Sequence, residues 1–189
     1  MSLISLFLTS IFSENIVLTK FLGLCPFFGN SKKEKTAVTM GLCVILVMCV
    51  SSVLSFFIYN FVLVPTGTEY LSTLMFILLI ASLVQLLVLI IKNKNKKLYK
   101  SLGIYLSLIT TNCAVLGVVL LGINNGYNLL ETIVYSLGSG IGFMLVIYVF
   151  GTIRERLEQS DVPECFQGIP IALITASIMA LIFERFKGL

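Results

Sequence analysis

Two of the five cysteines stand in settings unlike that of an ordinary buried thiol. Cys25 lies in "FLGLCPFFGNSKK" (residues 21–33), where an apolar run meets a cysteine, then at once Pro26, then Gly29 and two lysines. Cys113 follows three hydrogen-bonding residues in "LITTNCAVLG". Soft thiolates suit iron–sulfur clusters, zinc or copper(I). An iron–sulfur cluster normally takes four cysteines, so Cys25 and Cys113 would be half of a site and a second chain would have to supply the rest. A disulfide between them would need no partner, although a reducing cytosolic side disfavours one at Cys25. The odd cysteine count argues against a closed disulfide framework. Cys43 and Cys49, in "LCVILVMC", read as small apolar side chains, and Cys165 as a free thiol in a loop.

Other chemistries find no support. The chain has no histidine, which removes a bis-histidine haem and leaves a zinc site only thiolates and carboxylates. No nucleophilic triad, nucleotide-binding glycine loop or covalent-flavin site is present. No catalytic residue is assigned, and the chain alone is expected to have no turnover. The basic residues are not interleaved with aromatics, so nucleic acid is not an expected partner.

The elements that must position these cysteines are membrane spans. Of 189 residues, 58% are apolar and only 12% charged, about half the charge of a soluble domain. A spanning helix needs about 20 mainly apolar residues. Six segments qualify, at roughly 2–24, 37–61, 70–91, 101–123, 129–151 and 169–187, in a single transmembrane domain over 1–189. The expected fold class is an all-α integral membrane protein. The start, "MSLISLFLTSIF", lacks a basic region and a small-residue cleavage site and reads as a retained first span. Without tryptophan, tyrosine must serve the interfaces.

Lysine and arginine sort by loop. Lys32, Lys33, Lys35, Lys92, Lys94, Lys96, Lys97, Lys100, Arg154 and Arg156 follow spans one, three and five, ten of thirteen. The loops after spans two and four hold none. The positive-inside rule puts the odd loops in the cytoplasm and both termini outside, against the two late charges Arg185 and Lys187. Topology and contact with the lipid bilayer account for these loops.

"CPFFG" (25–29) and "CAVLG" (113–117) share C-x-x-x-G, each in the first span of a three-span half, about 1–92 and 100–189. Three spans invert the second half, which makes the halves candidates for an inverted repeat with a site at their interface near the midplane. Cys113 lies 13 residues from Lys100 and 11 from Asn124, close to the bilayer centre. Pro26 bars Cys25 from a comfortable helical conformation, so the stretch reads as a broken helix. Such breaks survive in membranes where they face protein or a cavity. Gly29 and Gly117, one turn after each cysteine, serve either close helix packing or room for something larger than a side chain. Thr110, Thr111 and Asn112 either tune the thiol or bond between helices. Glu14, Asn15 and Lys20 form a polar patch that could pair internally, line a water or ion path, or mark an interface.

Four stretches together, "KFLGLCPFFGNSKK", "LITTNCAVLG", "GFMLVIYVFGTIRERLE" and "DVPECFQGIPIALITA", resemble the A-component family of the Rnf electron-transport complexes, a family shared with the E component of the sodium-translocating NADH:quinone reductase. "GLCPF" is closer to the Rnf branch. The resemblance covers nearly the whole chain. It implies six spans with both termini outside a bacterial cytoplasmic (inner) membrane. It also implies a paralogous partner of opposite topology, similar to the E component of Rnf. Cys25 and Cys113 would join two of the partner's cysteines around an intramembrane [2Fe–2S] cluster, with Pro26, Gly29, Thr111, Asn112 and Gly117 around the ligands. Iron–sulfur and flavin subunits would complete an ion-translocating ferredoxin:NAD+ oxidoreductase, exporting sodium ions or protons. The sequence departs from the family pattern at Val88, where many relatives carry an acid, at Ser107, where proline is common, and in the charged ending "FERFKGL". The first weakens an ion-relay role for span three, and the second predicts a straighter span four. A secondary transporter built on inverted repeats, or a cofactor-free scaffold subunit, is the alternative.

Overall fold

The computed structural model describes residues 3–25, 34–67, 69–94, 111–160 and 163–187. Every regular element among them is helical. We number six principal helices: α1 Leu3–Ile11, α2 Glu34–Ile58, α3 Ser72–Lys94, α4 Cys113–Asn124, α5 Leu129–Glu158 and α6 Ile169–Lys187.

The apolar runs that read as long spans become long helices, because a chain in hydrocarbon must satisfy its backbone internally. Among the described residues, three are long and apolar enough to cross a membrane: Met40–Leu63, Ser72–Ile90 and Leu129–Leu157. The first of these extends α2 through a π-helical segment, Tyr59–Leu63, and one helical turn, Val64–Thr66. Pro65 has no N–H for a continuing ladder, and Gly67, at φ 65°, ends the turn left-handed, where a side chain would be strained. α5 opens on Asn128, whose own N–H is accepted by Glu131 at 3.0 Å in a reciprocal capping box.

Two expected spans differ from their reading. The first, expected over 2–24, is helical only to Ile11, and turns run from Phe12. The fourth, expected over 101–123, has its described helix begin at Cys113, while 101–110 lie outside the described residues. At about 1.5 Å per residue, α1 and α4 are roughly 14 and 18 Å long, short of the roughly 30 Å hydrocarbon core. The chain breaks where polar side chains compete for the backbone. Asn15 is fully buried, gives its amide to Ile11 O (3.1 Å) and Gly142 O (3.2 Å), and accepts from Val17 N (3.1 Å). A helix continued past Ile11 would lose that arrangement.

α5 is the central helix: 56% of its apolar window is buried, against 17% for α3. Its glycines allow the closest approaches. A Cβ on Gly138 would collide with the Ser10 hydroxyl of α1, and one on Gly142 would lie 3.0 Å from Ile11 O. On the α2 side, a Cβ on Gly140 would stand 2.9 Å from Ile45, one on Gly41 would stand 2.7 Å from Met144, and Ser136 reaches Cys49 Sγ at 3.7 Å. These pairs run in opposite senses along the two helices, so α2 and α5 are antiparallel, and their contact is the most extensive in the fold. The end of α2 and the start of α5 therefore lie together. Lys35, Arg154 and Arg156 lie at the other end of the same pair.

Candidate functional site

The second cysteine motif folds as a helix start. Asn112 is extended (φ −73°, ψ 111°), and its side-chain oxygen accepts from Ala114 N at 3.0 Å. That makes it the N-cap of α4 and Cys113 the first helical residue. The Cys113 thiol thus sits where the helix presents unpaired N–H groups and its positive pole. The asparagine of "TTN" therefore has a definite role, since it caps the helix that presents the thiol. Thr111 is exposed beside it, and Thr110 lies outside the described residues.

The first motif reaches the same place. Leu22 N–H is accepted by Ile16 O at 3.1 Å, which holds the turn that follows the buried segment Asn15–Leu18. Gly23 then adopts φ 81° and donates its N–H to Cys113 Sγ at 2.9 Å. A Cβ at Gly23 would stand 2.7 Å from the Phe143 ring, 2.9 Å from Ala114 Cβ and 3.4 Å from Asn112 Oδ1. The backbone is clamped between α4 and the middle of α5, and only glycine fits there. Two residues on, Cys25 is exposed, while Cys113 is half-buried. The structure thus brings the two cysteine motifs together, with one thiol directed to the surface of this chain.

Gly117 resolves one of the open readings. A Cβ there would collide with Leu22, so the glycine makes room for close packing of the first motif on α4 rather than for a larger group. Pro26 and Gly29 lie outside the described residues, as does Ser107. Cys43 is half-buried in α2, Cys49 meets Ser136, and Cys165 is exposed in the short 3₁₀ turn Glu164–Phe166. The polar patch of the first span divides: Asn15 is a buried backbone partner, Lys20 is exposed, and Glu14 is half-buried.

Gly23, Leu22 and Phe143 do not stand out in the sequence, yet they shape the site. The available signal is the glycine two residues before Cys25 in "LGLCP", a backbone marker of the same kind as those read after each cysteine.

Among the described residues no three Cys, Asp or Glu lie together as metal ligands. Two thiols are fewer than the four thiolates that an iron–sulfur cluster normally takes. The donor set fits an iron–sulfur cluster: soft sulfurs, a backbone N–H on one of them, and a helix N-terminus behind it.

Comparison with known proteins agrees in length and class. Residues 3–189 match the family model described as "Rnf-Nqr subunit, membrane protein". The chain is 50% identical over 189 residues to the A component of the Na+-translocating ferredoxin:NAD+ oxidoreductase complex of Acetobacterium woodii, covering 100% of this chain and 98% of that one. It is 50% identical over 186 residues to the A component of the ion-translocating oxidoreductase complex of Actinobacillus pleuropneumoniae, with 98% and 96% covered. For the Vibrio cholerae protein of the same description the identity is 48% over 184 residues, with 97% and 95% covered.

Proposed function

The chain belongs to the Rnf-Nqr family of membrane subunits, and on that premise we propose that it is an electron-transfer subunit of an ion-translocating ferredoxin:NAD+ oxidoreductase. In this reading Cys25 and Cys113 hold two corners of an intramembrane [2Fe–2S] cluster. A paralogous subunit of opposite topology holds the other two. The observation that carries the reading is the Gly23 N–H on Cys113 Sγ, which joins the two cysteine motifs at a helix N-terminus.

When bound, the cluster supplies one-electron transfer partway across a hydrocarbon core about 30 Å thick. This chain's residues do the rest. The Gly23 N–H and the first turn of α4 stabilise negative charge on the Cys113 sulfur. Asn112 fixes where that turn begins. Leu22, Ala114 and Phe143 pack against Gly117 and Gly23 on the apolar side of the site. Cys25 faces the chain's surface, where the partner's thiolates would meet it.

The ends of α3 and α5 that carry Lys92, Lys94, Arg154 and Arg156 face the cytoplasm and both termini face outward, in a bacterial cytoplasmic membrane. The halves 1–92 and 100–189 are inverted repeats, each opening on a helix too short to span the membrane. Further iron–sulfur and flavin subunits deliver and remove the electrons, and the complex couples their passage to export of sodium ions or protons. The test is co-expression. With its paralogue the pair should contain iron and acid-labile sulfide together with visible absorption. The lone chain should hold little. Stoichiometric cluster in the lone chain, or none in the purified pair, would overturn the shared-site reading.

A further inference from the structure

Several helical hydroxyls among the described residues bond back to their own helix. Ser10 gives its proton to Phe7 O, Ser136 to Ile133 O, Thr152 to Val149 O, Thr175 to Ile171 O and Ser177 to Leu173 O, at 2.8–3.0 Å. Ser51, Ser52 and Ser55 of α2 and Thr132 of α5 do not. Their hydroxyl oxygens are buried and have no hydrogen-bond partner among the described residues. The residues are 0%, 2%, 0% and 7% exposed. Ser139 has no partner at hydrogen-bond distance either, although the Tyr135 phenol lies near it.

These groups share one seam. Gly41 opposes Met144, Ile45 opposes Gly140 and Cys49 opposes Ser136, so the same antiparallel register sets Ser51, Ser52 and Ser55 against the first turns of α5. Thr132, Ser136 and Ser139 recur at helical spacing along one face of α5. One turn beyond Ser139 comes Phe143, whose ring reaches Gly23 beside Asn112. The side-chain nitrogen of Asn112 is again buried and without a partner. Buried unpartnered polar atoms thus run from Thr132 to the level of Phe143, about 16 Å along the helix axis.

Beside α5, Gly122 of α4 is buried, yet a Cβ built on it meets no atom of the described residues within 4 Å. Tyr127 N–H is held by Gly122 O at 3.2 Å, and the Tyr127 ring packs on Tyr135 with centroids 5.4 Å apart. Glu14 is close enough to act electrostatically on both phenols. Burial first, then that carboxylate, push the Tyr127 phenol above its usual range, which keeps it a neutral hydroxyl. At this end α2 also turns π-helical, over Tyr59–Leu63, a form frequent at functional sites. Polar, roomy interior space lined by unpaired hydroxyls is where proteins hold internal water.

We propose that the seam between α2 and α5 encloses a file of water leading from the 125–128 end of the bundle towards the cysteine site, and that a monovalent cation uses it. Hydroxyl oxygens suit either carrier, since they accept from a hydrated sodium ion and relay protons through water. The proposal rests on the functional reading above only for the complex being ion-translocating.

The experiment uses the whole complex in sealed vesicles. Ser52→Cys, Ser55→Cys and Thr132→Cys are treated with a small charged methanethiosulfonate. Labelling of each peptide is read by mass spectrometry, so the native cysteines stay in place. Asn125→Cys reports which side that end faces. Leu46→Cys and Leu54→Cys, on the exposed apolar surface, are the controls. The seam positions should label from the same side as Asn125→Cys, about tenfold or more faster than the controls, because a wet thiol ionises and a thiol in lipid does not. Labelling no faster than the controls would overturn the water file. A second arm fills the space: Gly122→Ala and Gly122→Val. The file predicts that Gly122→Val lowers ions moved per electron, with the cluster's paramagnetic signal unchanged. Sodium-22 flux and a pH dye read the two carriers separately. Unchanged coupling in both readouts, with a raised unfolding temperature, would mean an empty packing gap and would overturn the proposal. Loss of the cluster signal itself, by contrast, bears on the functional reading.

Discussion

The Gly23 amide donates to Cys113 Sγ across 90 residues of sequence, at 2.9 Å. This bond joins the stretches around Cys25 and Cys113. Three features set it: the left-handed φ of 81° at Gly23, the Asn112 cap that starts α4, and the space that Gly117 leaves for Leu22.

Gly23→Ala should therefore be costly in two ways. A left-handed alanine costs about 1–2 kcal/mol. Its Cβ would also press on Phe143 and Ala114, at 2.7 and 2.9 Å. We expect a lower unfolding temperature for the purified complex and a shifted cluster signal. An unchanged unfolding temperature would show that this backbone tolerates an ordinary side chain.

Asn112→Ala should cost about 1 kcal/mol by removing the N-cap, and Asn112→Ser should recover most of it. The cap bond to Ala114 N, at 3.0 Å, is the interaction lost. Thermal unfolding of both variants in detergent checks the ranking, and equal losses would exclude capping as the cause.

Gly142→Ala adds a Cβ 3.0 Å from Ile11 O and 3.1 Å from the Asn15 amide. Overpacking of this kind typically costs about 1–3 kcal/mol. We expect α1 to be displaced and Asn15 to lose its bond to Gly142 O. Faster proteolysis near residues 12–20 would report it, and native-like protection would contradict it.

Orientation is tested at the helix ends. Lys92→Cys should label only from the cytoplasmic side with an impermeant maleimide, and Asn125→Cys only from the outside. The reverse pattern would invert the topology drawn from the positive-inside rule.

Part of this architecture is legible in the sequence. The long apolar runs of α2, α3 and α5 are readable because hydropathy alone demands helix in lipid, while α6, read as a sixth span, is helical but not among the helices long and apolar enough to cross. The break expected at Cys25 from Pro26 is not the one observed: the chain leaves the helix at Phe12, Leu24 and Cys25 are helical again, and Pro26 lies outside the described residues. The cause of the departure at Phe12, Asn15 bonding to Gly142 O, lies 127 residues away and leaves no local mark. The two cysteines are identifiable by their shared spacing. Gly23 is not, because its partner is a sulfur on another helix and its role is set by φ and by contact. Gly117 can be read two ways from spacing, and only the position of Leu22 decides for packing.

The central claim is that Cys25 and Cys113 ligate a cluster. Electron paramagnetic resonance of the reduced, purified complex tests it most directly, comparing the native protein with Cys25→Ser and with Cys113→Ser. The account predicts that each single substitution abolishes or strongly alters one [2Fe–2S] signal and stops electron transfer from ferredoxin to NAD+, with the other cofactors intact. Both variants retaining every signal and full electron transfer would contradict it.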